Sequence, residues 1–175
     1  MNRKTFFINI RISLFNGTIS QSQVDGITAL LDEWDKRGFT DTRWLSYILA
    51  TVYHETAKKF QPIKEKGGQV YLMKKAYYPY YGRDLVQTTW KANYEKVKKF
   101  TGIDVVTNPD LIADLKTAAA VAIEFMNKGW YTGKKLVHYF NDKVDDPINA
   151  RRIINGTDKA ELIAGYYKEF SKAMQ

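Results

Sequence analysis

The sequence predicts a single, mainly α-helical domain with a small irregular or β-hairpin insert. Three observations lead there. The 175 residues suit one ordinary domain. Apolar residues make up 45% of them, enough for a sizeable core and too many for a disordered chain. Apolar positions recur at helical spacing through most of the chain, and residues 63–82 break that period. With no internal repeat, low-complexity tract or linker, residues 1–175 are expected to form one unit.

Each element has its own signal. Phe6 to Phe15 is interrupted by Asn9, Arg11 and Ser13 and precedes no small-residue cleavage site, so it reads as a folded segment rather than a signal peptide. Ser20 and Gln23 form a capping-box start, Val24, Ile27, Leu31 and Trp34 follow at helical spacing, and Gly38 stops the run. Asp41 can cap a second helix with Trp44, Leu45, Ile48, Leu49 and Val52 on one face, expected to reach about Lys59. Ile63 to Gly82, rich in glycine and tyrosine around Pro79, reads as a long loop or short hairpin. A third helix is expected from Thr88 or Thr89 to Gly102. Asn108-Pro109 opens an alanine-rich fourth that closes at Gly129. A short fifth fits Thr132 to Phe140, and a sixth runs from Asp145-Asp146-Pro147 to Gly156. Thr157 caps the last.

Composition removes several chemistries. With no cysteine there is no disulfide scaffold, thiolate metal site, iron–sulfur cluster or cysteine nucleophile. His54 and His138 lie far apart, which argues against a histidine metal site, and no cofactor is expected. No stretch approaches the roughly 20 apolar residues of a membrane helix. The chain is expected to be soluble and made in the cytoplasm without its own export signal. The formal charge is +8, and residues 58–99 alone carry 11 basic and 3 acidic side chains, so all of the excess sits in one central block. Such a block attracts a polyanion, or else serves only as a solvated face.

Two carboxyl groups stand out. Helical spacing sets Glu55 on the flank of the Leu45–Ile48–Val52 stripe in the last turns of its helix. Partial burial and the negative helix end both disfavour its charged form there, as a general acid requires. Glu65 lies between Lys64 and Lys66, a setting that favours its ionised form. One carboxyl held protonated and one held bare is the pairing that glycosidic bond cleavage uses. Each residue alone also reads as an ordinary surface glutamate. His138 reads as a core or boundary histidine, and Arg151-Arg152 as partners in internal ion pairs. Among the clustered tyrosines, Tyr81 is a candidate to stack on a ligand.

The run Tyr53-His54-Glu55-Thr56, followed by Glu65, resembles the catalytic stretch of glycoside hydrolase family 19, the chitinase family with phage endolysin relatives. Tyr81-Gly82-Arg83-Asp84-Leu85-Val86-Gln87-Thr88-Thr89-Trp90-Lys91-Ala92-Asn93-Tyr94 resembles the family's Tyr-Gly-Arg-Gly-x-x-Gln-x-Ser/Thr segment that ends in Asn-Tyr. Asn108-Pro109-Asp110-Leu111 and Arg152-Ile153-Ile154-Asn155-Gly156 follow in the family's order, and Gly133-Lys134 with the Ser20–Trp34 lead-in resembles the phage and prophage branch. The resemblance spans roughly residues 20–172. It implies an α+β, lysozyme-like fold with a substrate cleft, and inversion with carboxyl groups roughly 6.5–9.5 Å apart. Residue by residue it implies that Glu55 is the proton donor, that Glu65 activates water, and that the Thr89 hydroxyl helps hold that water. Gln87, Asn93 and Asn155 would hydrogen-bond sugar, with His54 beside the acid. Asp84 stands where the family usually has Gly; it reads as a salt-bridge partner for Arg83, ahead of a harmless loop substitution or a third carboxylate that alters the base assignment.

The resemblance implies hydrolysis of β-1,4 bonds in an N-acetylhexosamine glycan. The basic block favours anionic peptidoglycan strands, and anionic envelope polymers, over near-neutral chitin. The expectation is a monomeric peptidoglycan-degrading endolysin that waits in the host cytoplasm until its release to the wall. Its activity should be bell-shaped in pH, failing through Glu65 on the acid side and Glu55 on the alkaline side. Chitin hydrolysis is the alternative within the family. A non-enzymatic binder of nucleic acid or another polyanion is the alternative outside it; nucleic acid is not the expected partner.

Overall fold

The computed structural model describes residues 1–175. Helices dominate: α1 (Arg3–Ser13), α2 (Gln21–Arg37), α3 (Thr42–Glu55), α4 (Gly68–Met73), α5 (Lys91–Thr101), α6 (Leu115–Lys128) and α7 (Ala160–Ala173). Single 3₁₀ turns cover Pro109–Ala113, Leu136–His138 and Asn149–Ile153. The one sheet pairs β1 (Phe140–Asn141) antiparallel with β2 (Val144–Asp145). The mainly helical class thus holds.

The centre is α3. Every residue from Leu45 to Tyr53 is buried, so this helix is enclosed on all sides rather than amphipathic. It packs chiefly against α7, while α1 lies on α7 and α2 pairs with α6. Phe6 and Ile10, one turn apart, are the inward face of α1, and Phe6 stacks on Phe170 of α7. A second, smaller core joins Tyr94 and Val97 of α5 to Val105, Ile112, Val121 and Phe125. Tyr131 packs against both cores.

Local chemistry explains the boundaries. The capping box at α2 forms as expected: Ser20 Oγ accepts from Gln23 N–H and Gln23 Oε1 accepts from Ser20 N–H. Gly38 ends that helix at φ 66°, in the left-handed region where glycine costs least. Helix α3 stops at Glu55, short of the expected Lys59. Ala57, Lys58 and Phe60 all turn to positive φ, and Thr56 Oγ1 accepts from Phe60 N–H to close the turn. Gly26 of α2 permits this, because a Cβ there would lie 1.8 Å from the Phe60 carbonyl oxygen.

Other boundaries also move. Residues 63–82 hold the short α4 and no hairpin; the two-stranded sheet lies at 140–145 instead. The alanine-rich helix expected from Asn108 is split, because Asp114 caps a fresh start by accepting from Thr117 N–H. Thr157 does not cap α7; Lys159 occupies that position, in the left-handed region and without a side-chain bond. No helix is long and apolar enough to cross a membrane.

Candidate functional site

Glu55 sits at the C-terminal end of α3 because the positive-φ turn after it ends the helix there. Its side chain is 18% exposed, and Arg151 Nη1 donates to Oε1 at 2.6 Å. The Arg151 side chain is 4% exposed, and its Nε also donates to the Asp158 carbonyl. This amends the expected setting: Glu55 is not flanked by apolar groups alone but is charge-paired with a buried guanidinium. The ion-pair reading of Arg151 stands; its partner was not foreseen.

Glu65 is held by different means. Residues 63–65 run beside 82–84, with Glu65 N–H donating to the Gly82 carbonyl and Gly82 N–H to Glu65 Oε2. The Tyr77 hydroxyl donates to Glu65 Oε1 at 2.6 Å. That bond, with some desolvation, pushes the Tyr77 phenol up to about 12, so it stays a donor throughout the ordinary pH range. The flanking Lys64 and Lys66 make no ion pair with Glu65. Lys64 reaches Asp110 at 4.0 Å and lies over the Tyr81 ring.

The Gln87–Trp90 turn carries the next candidates, with Gln87 at φ 58° and Trp90 at φ 74°. Thr89 is half-buried and its hydroxyl makes no hydrogen bond within the chain, leaving it available to a bound water. Gln87 differs: its Nε2 donates to the carbonyls of Ile63 and Asp84, so its amide hydrogens stitch the loop rather than face a ligand. Asn93 is similarly engaged, donating to the Thr89 carbonyl and accepting from Lys96. Asn155 is exposed and lies in the turn after Arg151, to whose carbonyl its N–H donates. His54 is half-buried beside Glu55.

Tyr81 is buried and carries the Arg83 guanidinium 3.4 Å above its ring centroid, with Tyr78 stacked nearby. Packing rather than ligand stacking occupies it. Tyr71, Tyr78 and Trp90 are the exposed aromatics of this region. His138 is an exposed turn residue whose Nδ1 accepts from Lys135 N–H, not a core or boundary histidine.

The expected Arg83–Asp84 salt bridge does not form. Arg83 donates to Asp110 at 2.6 Å and to the carbonyls of Pro79 and Tyr81. Asp84 turns the other way and is fully buried, accepting from Val86 N–H, Thr88 N–H and the Thr88 hydroxyl. Burial raises its pKa, and those three donors oppose the rise.

Nowhere do three or more His, Asp or Glu side chains gather in a metal-holding cluster. A cavity of about 1010 Å³ lies along α2 and the adjoining ends of α5 and α6, lined by residues such as Asp32, Arg37, Phe100 and Lys116. None of the candidates above borders it, so its size does not make it the reactive site. The sequence gives no signal for Tyr77 as the partner of Glu65, nor for the contact of Tyr131 with Thr88, 43 residues away.

Comparison with known proteins bears on this arrangement. Residues 53–137 match the model of glycoside hydrolase family 19, described as chitinase class I. Chitinase 11 of Oryza sativa subsp. japonica is 32% identical over 118 residues, an alignment covering 53% of this chain and 44% of the relative. An Arabidopsis thaliana endochitinase is 32% identical over 99 residues, covering 53% and 35%. The chain thus spans less than half the length of these curated relatives. Among solved structures, chitinase C from Streptomyces griseus HUT6037 superposes with a TM-score of 0.67 at 20% identity, covering 98% of this chain and 75% of that one. A bacterial family 19 chitinase gives 0.64 at 24% identity, covering 86% and 85%. At such identities the structures speak for the fold alone, which is lysozyme-like, and the family model matches just under half of the chain.

Proposed function

We propose, from the family 19 domain matched by residues 53–137 as premise, that the chain is a glycosidase cleaving β-1,4 bonds of an N-acetylhexosamine glycan. Peptidoglycan is the favoured substrate. The carrying observation is that Glu55 and Glu65 are each anchored by firm contacts of unlike kinds while remaining within reach of solvent. In this reading Glu55 is the acid that protonates the leaving oxygen; because Arg151 pairs with it in the free chain, its carboxylate must take up a proton as the glycan binds. Glu65, fixed by Tyr77 and Gly82, takes a proton from the attacking water, and the unengaged Thr89 hydroxyl holds that water. Inversion follows if the water enters between the two carboxyls, which needs roughly 6.5–9.5 Å of separation.

Charge supports the substrate choice. Lys58, Lys59, Lys64, Lys66, Lys74, Lys91, Lys98 and Lys99 of the central block are all exposed. Peptidoglycan carries lactyl and peptide carboxylates, and anionic polymers lie beside it, whereas chitin is close to neutral. The role that fits is a monomeric lytic enzyme of the phage endolysin type, reaching the wall after release from the host cytoplasm. Chitin hydrolysis is the second reading, favoured by the names of the relatives.

The test is product analysis by mass spectrometry on purified murein and colloidal chitin. The proposal expects new reducing ends from murein, with a rate that falls as salt rises because screening weakens attraction of the basic face. Efficient chitin digestion with untouched murein would reverse the substrate choice.

A further inference from the structure

Asp84 is a fully buried carboxylate that the proposed chemistry does not use, at a position where the resembling family usually has glycine. All three of its contacts are donors aimed at it: Val86 N–H at 3.2 Å, Thr88 N–H at 2.9 Å and Thr88 Oγ1 at 2.6 Å. The Thr88 hydroxyl owns one hydrogen, and the bond to Asp84 consumes it. The 2.8 Å contact between Thr88 Oγ1 and the Tyr131 hydroxyl must then be made with the Tyr131 hydrogen, which points inward. Burial, Asp84 and Glu55, in that order among the raising influences, keep that phenol protonated, so the donor is always present.

The same contacts hold the turn that carries Thr89. Gln87 and Trp90 both sit at positive φ, a conformation that strains a non-glycine residue and persists only where surroundings enforce it. Two of Asp84's three donors are the backbone N–H and hydroxyl of Thr88, between those two strained positions.

We infer that Asp84 is a positioning residue for the glycan-cleaving site, setting the Thr88–Thr89 backbone and, through the Thr88 hydroxyl, the direction of the Tyr131 hydrogen. The inference rests on the hydrolase reading above and adds the buried Asp84–Thr88–Tyr131 chain to it. An ionised Asp84 leaves the Tyr131 oxygen with only lone pairs to offer its remaining neighbours. An amide at position 84 would reverse this order, because its NH₂ would donate to Thr88, and Thr88 in turn to Tyr131.

The experiment compares Thr88→Val, Thr88→Ser and Asp84→Asn with the parent chain, by kcat and KM for reducing-end release and by thermal melting. Valine keeps the shape of Thr88 and loses the hydroxyl; serine keeps the hydroxyl and loses a methyl. The expected result is a fall in kcat of about 10–100-fold for T88V and D84N, with KM within about twofold, because a small displacement at a reacting centre costs that much. T88S should stay within about threefold of the parent. A packing role predicts the opposite order, with T88V equal to or better than T88S, and that result would overturn the inference. If the parent releases no reducing ends from murein or chitin, the hydrolase reading itself fails, and the positioning role falls with it.

Discussion

Removing Arg151 should cost more than removing the charge it balances. The Arg151 side chain is 4% exposed and makes two firm contacts, to Glu55 Oε1 at 2.6 Å and to the Asp158 carbonyl at 3.0 Å. A hydrogen bond between charged groups contributes about 1.5–3 kcal/mol and the carbonyl bond about 1. Their sum, roughly 2.5–4 kcal/mol, overlaps the 3–5 expected when one partner of a buried pair is lost. At about 2–4 °C per kcal/mol for a chain of this size, Arg151→Met should lower Tm by roughly 5–16 °C. Glu55→Gln keeps an oxygen that can accept from Nη1, so its loss should be smaller, about 1–2 kcal/mol or roughly 2–8 °C. Thermal melts by circular dichroism at neutral pH on both single variants and the double variant would read the coupling. The two changes should fall short of additive by at least about 1 kcal/mol. Strict additivity, or a Glu55→Gln loss exceeding that of Arg151→Met, would refute the pair as described.

Two further outcomes concern the scaffold. Gly26→Ala drives a methyl to 1.8 Å from the Phe60 carbonyl oxygen and should destabilise by about 2–4 kcal/mol, whereas Gly165→Ala, where a Cβ meets nothing within 4 Å, should not; urea titration of both checks this. Asp104 lies near Lys98, whose bond, with those of Thr107, lowers its pKa to about 2 from 3.8. Its folded value lies below the unfolded one, so its contribution is present above about pH 3.8 and lost as pH falls through about 2. The Tm gap between parent and Asp104→Asn should therefore narrow from pH 5 to pH 2, and a constant gap would show that the contacts do not form.

What could be read in the sequence was what local chemistry decides. The Ser20–Gln23 box, the Gly38 stop and the apolar run of α3 all follow from neighbours in the chain. The end of α3 did not, because the positive-φ turn at Ala57–Phe60 depends on Phe60 meeting Gly26 on another helix. Asp114 was hidden as a cap by the continuous alanine-rich pattern around it. The candidate site divides the same way. Motif order singled out Glu55, Glu65 and Thr89, and it is motif order, not local chemistry, that marks them. It could not show that Arg83 would choose Asp110 and leave Asp84 to the interior, nor that Gln87 and Asn93 would spend their amides on backbone. Those choices belong to long-range packing, and Arg151 reaches Glu55 across 96 residues.

The most direct measurement of the central claim is the rate of reducing-end release from murein by Glu55→Gln and Glu65→Gln, each with its fold verified by circular dichroism. Both should lose at least about 100-fold in kcat, the scale of general acid–base catalysis, with glycan binding retained. Either variant cleaving at the parental rate would contradict the two-carboxyl mechanism, and lysis undiminished in both would point to a non-enzymatic polyanion binder.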